Sequence, residues 1–143
     1  MNTYLQLKNT HEKEFNSFPI FWAFSDKQFK EGMEKFGLAV DDIDKLYKLS
    51  GGGFYRKTDS KAFRDLLDRH EKEMSDAIAA DKTGEGFILE MFDYELSNHE
   101  FTYTGDTEDT IDALGLSQGD FDNNPALTAG LRLAIKAQYA NQE

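Results

Sequence analysis

From Asp59 or Ser60 to about Ala80, the residues Phe63, Leu66, Leu67, Met74, Ala77 and Ile78 return along one face at the helical period, which predicts a long amphipathic helix over 60–80. His70 falls in the middle of that face. A glycine-containing break, DKTGEG, leads into a second predicted helix over 87–99. Its apolar face is Ile88, Met91 and Phe92, and Glu95 and His99 continue it. A third helix is expected over 125–140, opened by Pro125 at a favoured first position and carrying Leu127, Leu131, Ala134 and Gln138 on one stripe. Any fold for this chain has to bury these three faces.

The first half adds a small sheet. The run FPIFWAF is short, rich in aromatic and β-branched residues and opened by a proline, which predicts a strand over 18–24. Ser25 then provides a cap for a short helix bearing Phe29, Met33 and Phe36, with Gln28 reaching back to the cap and Gly37 as the stop. KLYKLSGGGFYRKTD predicts a β-hairpin over 45–57, because glycine's freedom at positive φ suits the turn. The same glycines lack the following helix and Lys-Ser/Thr of a phosphate-binding loop. Residues 1–17 read as an arm or a short helix, FTYTGD as a short strand, and Thr107 to Leu114 as a brief helix ended by Gly115. The expected class is α+β: mainly helical, with a small antiparallel sheet packed by the helices over 60–80, 87–99 and 125–140. At 143 residues without a linker or repeat, one domain spanning 1–143 is expected.

Composition removes several functions. Without cysteine there is no thiolate nucleophile, disulfide or cysteine-ligated metal. No segment has the length and apolarity of a membrane span, and the N-terminus lacks the pattern of a secretory signal, so a cytoplasmic protein is expected. A formal charge of -11 argues against a direct grip on nucleic acid, which needs clustered Lys and Arg, and favours a basic protein partner. With three histidines and no activated nucleophile, a non-enzymatic role is the reading.

Three groups of residues could still carry chemistry. His70, Glu95 and His99 take positions where an apolar face would hold Leu or Ile. Brought together from two helices, they would offer three ligands for zinc or another divalent metal with an open position, which would make the chain a metal-binding protein or a metal-dependent enzyme instead; the alternative is a buried hydrogen-bond network or a helix end reaching solvent. The loop from Asp81 follows the first eight positions of an EF-hand, but its twelfth position is Phe92 where calcium needs a bidentate Glu. Two glycines between helices are equally a helix stop and a tight turn. Finally, Asp106, Glu108, Asp109, Asp112, Asp120 and Asp122 form an acidic belt, with Asp41, Asp42 and Asp44 before it. Such a belt is either a solvated face or a mimic of nucleic-acid phosphates that docks into a basic channel of a nucleic-acid-handling protein.

The stretch RHEKEMSDAIAADKTGEGFILEMFDYELSNHEFTYTGD, followed by TEDTIDALGL, resembles a family of small acidic proteins encoded by phages, plasmids and conjugative elements of gut bacteria. The likeness covers about residues 20–136, and GFILEMFDYELSNHEFTYTGDTEDTIDALGL is its most specific part. The resemblance implies a setting rather than a mechanism: a protein made by a mobile element in the bacterial cytoplasm. There, many such acidic proteins inhibit host defence nucleases, including CRISPR effectors.

Overall fold

The chain opens in a helix. In the computed structural model, which describes residues 2–141, α1 covers Thr3–Ser17. Its first turn is held by the Asn2 carboxamide oxygen, which accepts the Leu5 N–H at 2.9 Å. It stops where Pro19 disfavours helical geometry at Phe18. The strand expected over 18–24 is only β1, Phe21–Trp22. Pro19 has no N–H to donate, and Ser25 is already the cap of the next helix, so few backbone groups remain for pairing.

That helix, α2 (Asp26–Lys35), begins with the Gln28 N–H on the Ser25 hydroxyl at 3.2 Å. The Gln28 side chain reaches back one residue further than expected, to the Phe24 N–H at 2.7 Å. Gly37, at φ +70°, closes α2 with its N–H on Glu34 O and the Leu38 N–H on Met33 O. The hairpin forms as β2 (Leu46–Leu49) and β3 (Gly53–Arg56), and the sheet order is β1-β3-β2, antiparallel throughout. Gly51 and Gly52 turn it at φ +85° and +95°, a region that L side chains avoid. α3 follows at Ser60–Ala80, as the periodicity predicts.

The remainder is helical: α4 (Phe87–Asn98), α5 (Phe101–Thr104), α6 (Glu108–Ala113), α7 (Gln118–Asn123) and α8 (Pro125–Ala140). FTYTGD is therefore a helical turn, not a strand. Its β-forming residues yield to context: Glu100 at φ 56° and Gly105 at φ 69° bracket one turn that buries Phe101. Helix α7 is absent from the sequence reading, although its signal is present. Ser117 and Asp120 form a reciprocal capping box.

The chain divides into two compact units. The second, His11–Glu71, has Phe21, Leu46 and Met33 at its centre, with Phe29, Phe36 and Phe54 packed around them. Its α2 lies so close to the sheet that a Cβ on Gly32 would sit 2.1 Å from the Phe21 ring. Elsewhere in this unit the Phe63 ring packs against Phe15, Phe18 and Tyr55.

The first unit joins the residues up to Thr10 with those from Lys72 onward. Ile88, Met91, Phe92 and Leu96 of α4 are fully buried with Ala134 of α8, and Tyr4, Phe101, Ala126 and Leu127 belong to the same cluster. Close approach depends on Gly130, where a Cβ would lie 2.4 Å from Ile88 Cγ2 and 2.9 Å from Gly84 O. The backbone oxygen cannot move aside as a flexible side chain would. Gly130→Ala is therefore expected to destabilise by about 1–3 kcal/mol, the usual cost of overpacking. Urea unfolding followed by circular dichroism measures it, and an unchanged midpoint would refute this packing.

Candidate functional site

The loop at the head of α4 shows how the acidic half is anchored. Asp81 Oδ1 accepts the Gly84 N–H at 3.0 Å, and Oδ2 accepts those of Gly86 and Ile88, each at 3.0 Å. The carboxylate thus satisfies donors at the start of a helix, and Gly84 makes the turn at φ +82°. Burial works to raise the Asp81 pKa, but the N–H groups of Ile88, Gly84 and Gly86 outweigh it and hold the group below its ordinary 3.8.

Past this loop the exposed acids gather on α6, α7 and the turn before them. Asp106, Glu108, Asp109, Asp112, Asp120 and Asp122 are all exposed. Three of them do local work. Asp106 accepts the Glu108 N–H at 2.8 Å, Asp120 the Ser117 N–H at 2.8 Å, and Asp122 the Gln118 amide at 2.9 Å. None of the six is in an ion pair among the described residues. Glu108 and Asp112 stand four apart on α6, where like charges repel by a few tenths of a kcal/mol. Residues of α6, α7 and α8 line a shallow, mostly apolar hollow of about 250 Å³ (Ile111, Gln118, Phe121, Thr128 and Leu131), and Asp112, Asp120 and Asp122 are sequence neighbours of that lining. An apolar centre with polar surroundings is the anatomy of a protein-binding patch.

The sequence contained a stronger signal than the belt. Residues 83–131 hold 11 Asp and Glu and no Lys or Arg, while the whole chain has 27 and 16. The 16 acids that remain elsewhere equal the 16 bases, so this single segment accounts for the entire excess of -11. Asp41, Asp42 and Asp44 lie in the balanced part.

Residues 3–137 match a family of unknown function (DUF7659), from the start of α1 into the last turns of α8. The chain belongs to the DUF7659 family. No curated protein and no solved structure matches it. In this DUF7659 member no helix among the described residues is long and apolar enough to cross a membrane.

His70, of the second unit, has α1 for company. Its ring stacks on His11 with centroids 3.9 Å apart and planes 14° from parallel, and its Nε2 lies 3.5 Å from Glu14 Oε1. Glu14 is also bound by Arg69, whose hydrogen bond is the main influence holding the Glu14 carboxyl below its usual range. Glu95 and His99 belong to the first unit, one turn apart on α4 and its end. The bond joining them is the helix's own, His99 N–H to Glu95 O at 3.0 Å. Glu95 is 4% exposed, with Lys8 Nζ 3.7 Å from its Oε1: near enough to offset charge, too far for a hydrogen bond. His99 is half-buried. Among the described residues, no group of three or more His, Asp or Glu is placed to hold a metal ion.

Asp81 supplies the test of this region's stability. Because its folded pKa lies below the unfolded value, its contribution is complete above that unfolded value and is lost as pH falls through the folded one. Asp81→Asn is expected to cost about 1–2 kcal/mol at neutral pH and to flatten the acid limb of the stability curve. Thermal melts between neutral and acid pH show both effects; an acid limb identical to wild type would refute the capping role.

Proposed function

We propose that the chain is a non-enzymatic interaction protein whose segment 83–131 docks onto a basic, nucleic-acid-binding surface of a partner protein. The observation that carries this reading is the segregation of charge. The whole excess of -11 falls within one segment, and its exposed acids have no ion-pair partner among the described residues. Uncompensated like charges on α6 are tolerated at a small cost in stability, which a cationic partner would reverse. Charge of this kind steers encounter and makes association fast and salt-sensitive. The apolar hollow beside Phe121 gives the contact a desolvated centre.

The resemblance to proteins of phages, plasmids and conjugative elements supports a finer version. In it the partner is a bacterial defence nuclease such as a CRISPR effector, and the acids occupy the channel meant for nucleic acid. The setting would be the bacterial cytoplasm.

The test is affinity capture from bacterial lysate with wild-type protein and with the triple variant Glu108→Gln, Asp109→Asn, Asp112→Asn. These changes remove three charges at exposed positions and relieve a repulsion, so the variant is expected to stay folded. Wild type should retain nucleic-acid-handling proteins at low salt and release them at high salt or on addition of duplex DNA. The variant should retain several-fold less. Capture that resists both salt and DNA, or that the variant leaves intact, would end the proposal.

A further inference from the structure

The balanced part of the chain hides a local reversal of charge. Residues 45–64, the hairpin and the start of α3, hold six Lys and Arg and one acid, Asp59. Three of the bases are paired: Lys45 with Asp42, Arg56 with Asp59 and Lys61 with Asp65. Lys48, Lys57 and Arg64 have no carboxylate partner among the described residues. At physiological salt a charge beyond about 8 Å is largely screened, so a ligand at this surface meets the local count rather than the net charge.

The sheet gives two of these cations, Lys57 and Arg64, an aromatic floor. Phe21, Phe54 and Leu46 on one face belong to the unit's core. By strand alternation and register, the other face carries Trp22 opposite Gly53 and Tyr47 opposite Tyr55. Trp22 is 45% exposed, Tyr47 is 45% exposed, and Phe24 at the end of the same row is 76% exposed. Bare backbone supports them. A Cβ on Gly53 would lie 2.9 Å from Trp22 Cζ3, and one on Gly52 2.9 Å from Phe24 Cε1, so the glycines of the turn let the rings lie flat on the chain. Tyr55 is backed by Phe63, stacked at 4.6 Å and 17°. Lys57 Nζ sits 5.1 Å from the centre of the Tyr47 ring. A hollow of about 380 Å³ adjoins them, lined among others by Tyr47, Lys48, Tyr55, Phe63, Arg64 and Leu67.

We propose that this face of the sheet binds single-stranded nucleic acid, stacking bases on Trp22 and Tyr47 and pairing phosphates with Lys57 and Arg64. The two rings stand about 12 Å apart across the three strands, by the usual strand spacing and rise, so they serve different bases of one strand. Half-exposed rings beside unpaired cations match a ligand that alternates flat π-faces with negative charge. A duplex, whose bases are already stacked on one another, would use only the cations. An acidic peptide would likewise leave the rings without a partner.

Trp22 is the chain's single tryptophan, so its fluorescence reports on the proposed platform without a label. The probe is an oligothymidylate of about 12 nucleotides, within the range such platforms cover. It should quench Trp22, and two phosphate contacts imply a log–log salt slope near -1.4, or about sevenfold weaker binding between about 50 and 200 mM salt. Lys57→Gln and Arg64→Gln should each reduce that slope by about 0.7. Tyr47→Ala should weaken binding about tenfold, with circular dichroism confirming that the variant is folded. The proposal is overturned if no quenching occurs at about 100 µM oligonucleotide, the weak end of non-specific binding. Equal affinity for a duplex of the same length, full competition by a peptide of residues 106–122, or an unchanged Tyr47→Ala would overturn it too.

Discussion

The acidic half depends on how tightly α4 meets α8. Gly130 removes the side chain that would hold them apart, Ile88 fills the space, and the loop at Gly84 presses its carbonyl oxygen against the same spot. Once Ile88, Met91, Phe92 and Leu96 are buried there, the chain between the two helices has few burial duties left. Phe101, Thr110 and Phe121 anchor α5, α6 and α7, and Thr110 ties back to Glu95 O at 3.3 Å. Every other position on these short helices can face water, and there the acids accumulate without disturbing the core.

The long periodic segments were legible because a buried face leaves a repeat that no loop imitates: α3, α4 and α8 begin and end close to where the pattern places them. The hairpin was legible from its glycines. The shorter elements were harder. One turn at Phe101 and six residues at Gln118 carry no repeat, and β1 stops after two residues because its neighbours are committed to a proline and a cap. Among the candidate residues, helical spacing placed Glu95 inside correctly but gave no account of its neighbour. Lys8 comes from a segment that the sequence left as an arm or a short helix.

Net charge proved a coarse guide. A total of -11 argues against nucleic acid only if it is spread evenly, and here it is not. The segment 83–131 lacks any Lys or Arg, while the hairpin region gathers six and sets flat rings beside Lys57 and Arg64, which have no carboxylate partner among the described residues. A partner meets a local field with a range of about 8–10 Å. One small chain can therefore present two faces of opposite character.

The tie between the N-terminal turn and α4 also bears on the order of assembly. Thr3 donates its hydroxyl to Glu90 at 2.8 Å across 87 positions of sequence, and Tyr4 packs on Phe87 and Tyr94. As the chain leaves the ribosome, the contiguous stretch from His11 to Glu71 has all its own partners early. The opening residues must wait until α4 has been synthesised, and the unit they belong to is complete only once α8 follows. Assembly would then run from the middle outward, with Thr3 and Tyr4 locked in place after the stretch that follows them.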